Sequence, residues 1–151
     1  MARERTFVLL KPDAIQRGLA GEVLGRFERR GLKPVGMKLV RIPKRLAETY
    51  YAEHKGKAFF DSLVRYVTSG PAIAIALEGD GAVGVVRAMM GKTHAGAAAP
   101  GTIRGDFGLQ IGRNLIHGSD SVATAKREIG LFFTQKELLD YDRIDETWLY
   151  E

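Results

Sequence analysis

An α/β domain is predicted on three observations. Short β-branched or apolar runs alternate with stretches of helical periodicity, 45% of the 151 residues are hydrophobic, and no repeat, linker or low-complexity stretch divides the chain. The length is that of one domain able to bury a sizeable core, so residues 1–151 are read as a single unit. Residues 6–10 form a run that can be buried on both faces, and Pro12 ends it, which leaves Lys11 at a strand's C-terminal end. Val23, Leu24 and Phe27 lie at helical spacing within 21–30, with Gly31 as the expected C-cap. Residues 32–42 alternate as a second strand, with Val35, Met37 and Leu39 expected on one face and Gly36, Lys38 and Val40 on the other. Pro43 opens a helical stretch in which Leu46, Tyr50 and His54 are four apart and Tyr51 shares a face with His54, and a short helix over 59–67 follows. A third strand is expected over 71–77, a helix over 83–90, a long Gly/Ala-rich loop over 91–113, a fourth short strand over 115–117 and a helix over 122–129, with a tail over 131–151.

Composition narrows the function classes. Lysine and arginine outnumber aspartate and glutamate 23 to 18, for a net charge of +5 and an isoelectric point near 9.6. That suits a polyanionic ligand without requiring nucleic acid. There is no cysteine, which excludes a disulfide framework and a thiolate nucleophile. His54, His94 and His117 lack the spacing of a zinc motif, so a metal has to arrive with the ligand. The apolar segment after the basic N-terminus is too short for a signal peptide or a membrane span, so no membrane association and a cytoplasmic location are expected.

The block 100–121, PGTIRGDFGLQIGRNLIHGSDS, has the character of a site: a histidine, two arginines and an asparagine stand among five glycines. Its centre is Asn114-Leu115-Ile116-His117, after which Ser119, Asp120 and Ser121 offer helix caps. His117 therefore precedes a helix N-terminus, where an anion such as phosphate is expected to be favoured. A lone histidine at a strand end is more often structural, so the surrounding block gives the reading its weight. Three other patterns fail on context. Gly79-Asp80-Gly81-Ala82-Val83-Gly84 fits G-x-G-x-x-G, but no second strand follows the helix, so a tight strand-to-helix turn is expected. Gly91-Lys92-Thr93 lacks the earlier glycine and the following helix of a P-loop. Arg104-Gly105-Asp106-Phe107 departs from the RNA-recognition consensus at Asp106 and lacks the further stacking aromatics.

Taken together, Glu4-Arg5-Thr6-Phe7, Lys11-Pro12-Asp13, Gln16-Arg17-Gly18-Leu19, Tyr50-Tyr51-Ala52-Glu53-His54, Phe59-Phe60, the block 100–121 and Trp148-Leu149-Tyr150-Glu151 resemble the nucleoside diphosphate kinases over essentially the whole chain. The resemblance implies a ferredoxin-like α/β sandwich with a four-stranded antiparallel sheet. It also implies ping-pong transfer of a γ-phosphate from a nucleoside triphosphate to a nucleoside diphosphate, ribo or deoxy, with Mg²⁺ bound through the nucleotide phosphates. On the same ground His117 is the nucleophile, phosphorylated on Nδ1, and Glu128 and Ser119 orient its ring. Arg87, Thr93 and Arg104 are phosphate ligands, Lys11 and Asn114 hold the ribose and its 3′-hydroxyl, Tyr51 and His54 line the phosphate end, and Phe59 and Ile111 sandwich the base. By themselves Glu128 reads equally as a solvated helix residue, and Tyr51, Phe59 and Ile111 as core. A homo-oligomer is implied, a hexamer ahead of a tetramer, with no specific nucleic-acid partner. Ala58 and the Thr93-His94-Ala95 run depart from the usual family pattern of prolines, which removes two rigid φ angles from loops. A binding module without catalysis and a different histidine-phosphate phosphotransferase are the rival readings.

Overall fold

The computed structural model describes residues 3–151. Strand β1 (Arg3–Leu10) alternates its side chains between two cores. Phe7 and Leu9 pack under α3 (Lys44–Tyr50), α4 (Phe60–Val67) and α7 (Val122–Phe132), whereas Val8 and Leu10 pack under α2 (Ala20–Arg29) and α5 (Ala82–Met90). A strand covered on both faces can be continuously apolar, which is why 6–10 lacks polar alternation. With β2 (Lys33–Val40), β3 (Ala72–Asp80) and β4 (Ile116–Gly118), β1 forms a four-stranded sheet of order β2-β3-β1-β4 in which every pairing is antiparallel. This is the ferredoxin-like sandwich, helices lying on both faces of the sheet.

Four expectations need correcting. Pro12 ends β1 but also opens a short helix, α1 (Pro12–Gln16), where its fixed φ and missing N–H cost nothing at the first helical position. In β2 a bulge between Pro34 and Gly36 inserts one residue and reverses the faces beyond it. Val35 is buried, but Met37 and Leu39 are 52% and 65% exposed, and it is Gly36 that faces Phe133 and Leu138. The stretch 91–113 is not all loop: it holds a 3₁₀ turn at Ala95–Ala97 and α6 (Ile103–Phe107), whose cap Thr102 accepts from the N–H of Gly105 at 3.0 Å. Gly105 is required there, because a Cβ would stand 1.9 Å from the carbonyl oxygen of Ala99.

The tail is the fourth. Helix α7 runs on to Phe132 and, after a 3₁₀ turn at Gln135–Glu137, the chain crosses back to β2. There Leu139 N–H donates to Val35 O at 2.8 Å, and α8 (Glu146–Leu149) ends the fold. Buried Lys33 fastens this return: its Nζ lies 3.0 Å from Glu146 and donates to the carbonyl of Tyr141. These contacts span more than a hundred residues, so no local pattern announces them.

Candidate active site

Lys11 leaves the end of β1 and His117 stands in β4, the two strands being neighbours with Leu9 opposite His117. The N–H of Lys11 donates to Leu115 O at 2.8 Å, which ties the strand end to the 100–121 block. A cleft of about 590 Å³ opens at this seam and is lined by Lys11, Tyr51, His54, Phe59, Arg87, Thr93, Arg104, Ile111, Asn114 and His117. Ser119 and Glu128 are buried behind His117. The residues assigned to the site in the sequence are thus gathered at one place, although they come from the end of β1, from β4, α5, α6 and α7, and from the loops between elements.

The imidazole of His117 is held from behind. Its Nε2 lies 2.9 Å from Glu128 Oε1, and the same oxygen accepts from Ser119 Oγ at 2.6 Å. A carboxylate acceptor on that side puts the ring proton on Nε2 and leaves the lone pair on Nδ1. Among the described residues none bonds Nδ1. Burial pushes the His117 pKa below its ordinary value, Glu128 pulls it partly back, and Lys11 and Arg87 add to the lowering. The ring is therefore neutral near pH 7. Tyr50 meets it edge-on at 5.2 Å and 77°, and Phe7 lies 6.2 Å away, so the ring plane is packed as well as hydrogen-bonded.

Three cations share the cleft with His117. Lys11 is 7% exposed and donates to Asn114 Oδ1 at 2.9 Å; burial, then the nearby Arg104, bring its pKa down to about 8, with Asp13 opposing them. Arg104, on α6, is 4% exposed and donates to the carbonyls of Asn114, Gly91 and Ile116 at 3.2, 3.1 and 2.5 Å. Burial and Arg87 lower its pKa to about 10. Arg87, on α5, donates to Gly118 O at 3.2 Å. Among the described residues none of the three has a carboxylate within ion-pair distance. Lys11 and Arg104 are buried and Arg87 is exposed at their side; buried cations answered mainly by carbonyl oxygens favour an incoming anion. At the cleft's mouth Phe59 and Ile111 are 48% and 58% exposed, offering flat and aliphatic surface. Among the described residues no group of three or more His, Cys, Asp or Glu is placed to hold a metal ion.

The cleft is not built on the α7 N-terminus, where the sequence places a favoured anion. No residue of α7 lines the cleft, and the cap Ser121 accepts from Thr124 N–H at 3.0 Å. Glu128 grips His117 about two turns into that helix, from its body instead of its end. The stretch 79–84 is a tight turn with Gly81 at φ 60° and lies outside the cleft, and Arg104 to Phe107 are helical. Sequence reasoning missed Tyr66 and Arg113, which line the cleft with the Arg113 guanidinium 4.7 Å over the Tyr66 ring. Tyr66 reads as an ordinary apolar position of α4, and only the neighbouring Asn114 marks Arg113.

Residues 4–138 match the family model described as nucleoside diphosphate kinase. The chain is 56% identical over 148 residues to a nucleoside diphosphate kinase of Archaeoglobus fulgidus, covering 98% of each chain. It is 59% identical over 149 residues to one of Natronomonas pharaonis, covering 98% of this chain and 97% of that one. Among solved structures, a halophilic nucleoside diphosphate kinase from Halobacterium salinarum in complex with CDP superposes with a TM-score of 0.97 at 53% identity, covering 99% of this chain and all of that one.

Proposed function

The chain belongs to the nucleoside diphosphate kinase family, and on that premise we propose that His117 is the residue through which its phosphotransfer runs. The Nδ1 lone pair attacks the γ-phosphorus of a nucleoside triphosphate, the bond from that phosphorus to the β–γ bridging oxygen breaks, and the nucleoside diphosphate leaves. A second diphosphate then takes the phosphoryl group from Nδ1 by the reverse route, which makes the cycle ping-pong. The observation that carries this reading is the single open nitrogen of a neutral imidazole in a cleft shared with three cations that have no carboxylate at ion-pair distance among the described residues.

Glu128, braced by Ser119, holds the Nε2 proton and stabilises the positive charge that the ring gains on phosphorylation. Arg87, Arg104 and Thr93 receive the phosphate oxygens, over which a loose transition state spreads its charge. Lys11 and Asn114, already bonded to each other, are assigned to the sugar hydroxyls, Tyr51 and His54 to the phosphate end, and Phe59 and Ile111 to the base. Magnesium comes with the nucleotide: a cleft lined by cations and amides suits a divalent ion already neutralised by phosphate oxygens, not a bare one. The relative from Halobacterium salinarum was solved with CDP, which favours nucleoside di- and triphosphates, ribo and deoxy, as ligands here. We place the enzyme in the cytoplasm with these substrates, give it no nucleic-acid or membrane partner, and infer a homo-oligomer, a hexamer ahead of a tetramer. Met37, Leu39, Ile144 and Trp148, exposed by 52, 65, 98 and 89%, leave apolar surface that neighbouring copies would cover.

Incubation with γ-labelled ATP tests the mechanism. Label that is acid-labile, alkali-stable and absent from His117→Asn is expected; label absent from folded wild type, or retained in His117→Asn, defeats it.

A further inference from the structure

Asp13 lies outside the cleft lining, yet it is wired to the cleft more closely than its position in α1 suggests. A carboxylate in the first turn of a helix ordinarily serves that helix's own N–H groups. This one turns away: Oδ1 accepts from Tyr66 OH at 2.5 Å, and Oδ2 accepts from the N–H of Leu115 at 3.2 Å. Leu115 is the one non-glycine among the described residues with positive φ, 72°. Ile116 N–H donates to Asn114 O at 2.8 Å across it, so residues 114–116 form a γ-turn of the rare, strained hand. Leu115 is fully buried in the core under α2 and α5, which is why a glycine does not take this place. The turn sits between Asn114, whose side chain bonds Lys11 and Thr93, and β4, which carries His117.

We propose that Asp13 is a positioning residue for phosphoryl transfer: its carboxylate clamps the Leu115 N–H and holds the strained turn that aims Asn114 into the cleft and sets the start of the strand bearing His117. The inference rests on the reading of His117 as nucleophile. Strained backbone relaxes unless its surroundings fix it, and Asp13 supplies the hydrogen bond that Leu115 N–H cannot make within the turn. Tyr66 in turn holds the carboxylate from α4, so three elements meet at one side chain. Asp13 also partly offsets the cost of charging Lys11, whose ammonium faces Arg104, Asn114 and the Tyr66 ring as well.

Two variants separate the clamp from the charge. Asp13→Asn keeps the geometry, since its carbonyl oxygen accepts from Leu115 N–H and its amide donates to Tyr66 Oη, but it removes the charge. Asp13→Ala removes both. With wild type labelled at His117 in the same assay, Asp13→Ala is expected to lose about 10²-fold in kcat, the scale of a small misplacement of reacting groups. KM for the diphosphate should change by less than about threefold. Asp13→Asn should keep kcat within about threefold at pH 7 while the alkaline limb of kcat/KM moves to lower pH. Unchanged kcat in Asp13→Ala, or equal losses in the two variants, overturns the clamp. Failure to label wild type overturns the kinase mechanism instead. Should Asp13→Ala not fold, amide exchange in Tyr66→Phe decides: the Leu115 N–H, still bonded to Asp13, should stay protected, and rapid exchange there with undiminished kcat overturns the proposal.

Discussion

Replacing Lys11 by methionine should make the protein more stable and nearly inactive. The ammonium is 7% exposed with a pKa brought from 10.5 to about 8, and every tenfold loss of proton affinity corresponds to about 1.4 kcal/mol. Burying the charge therefore costs on the order of 3 kcal/mol at pH 7. Methionine fills similar space but strands Asn114 Oδ1, which returns about 1 kcal/mol of the gain. A net stabilisation of about 2 kcal/mol follows, or a rise in Tm of roughly 4–8 °C for a chain of this size. The pH dependence has a definite sign. Below pH 8 the lysine is charged in both folded and unfolded chains and the full cost is present. Between about 8 and 10.5 the unfolded chain binds the extra proton, so wild type gains on the variant as pH rises and overtakes it by about 10.5. Urea titrations of both proteins at pH 7, 9 and 10.5, beside kcat/KM for a nucleoside diphosphate, measure this. A variant no more stable than wild type at pH 7, or a gap that does not change with pH, refutes the reasoning.

Three further outcomes are expected. Glu128→Gln should slow phosphorylation of His117 about 10- to 100-fold and move the acid limb of its pH profile downward, because Glu128 raises the pKa that burial lowers; a limb that stays in place, read by single-turnover labelling, contradicts the assigned pairing. Diphosphates of adenine, guanine, cytosine and uracil should differ little in kcat/KM, since Phe59 and Ile111 offer surface but no hydrogen-bond code. A 3′-deoxy diphosphate should lose far more, because the hydrogen bonds assigned to Lys11 and Asn114 at the 3′-hydroxyl are then lost, and a larger effect of base than of the 3′-hydroxyl reverses those assignments. Light scattering should give a mass of six chains, and a mass of two or four overturns the hexamer.

The fold was legible where an element is long and its burial simple. The continuous apolar run of β1 and the periodic face of α2 are visible because the two cores they enter demand little else of them. The bulge in β2 was not, because a single inserted residue leaves the apolar and polar letters in place and changes only which face they occupy. Helix α6 is five residues long, below any window in which period 3.6 can show, and its one local signature is Thr102 three residues before Gly105. At the site, spacing alone reached His117 and its block. Lys11, Tyr51, Phe59, Arg87 and Glu128 converge only in three dimensions and came from likeness to a family. Asp13 and Tyr66 were given no role by either route: one stands only within the Lys11-Pro12-Asp13 motif of the resemblance, the other only within a short helix, and what they do depends on the φ of Leu115.

One physical cause runs through the cleft. Burial lowers the pKa of Lys11, Arg104 and His117 alike, but the consequences divide. For the lysine and the arginine it means positive charge held, among the described residues, with no carboxylate at ion-pair distance, Asp13 acting on the lysine only from farther off; on the proposed reading an incoming phosphate relieves that cost, so binding energy is available at the reacting end of the nucleotide. For the histidine it means a neutral ring with a lone pair on Nδ1, ready to attack. On the proposed reading the ring becomes cationic once the phosphoryl group is on that nitrogen, and among the described residues the carboxylate in contact with it is Glu128, on the far side, at Nε2. The positive charge is thus compensated by a group that the entering phosphate does not meet, which lets the same ring be a nucleophile before transfer and a leaving group after it.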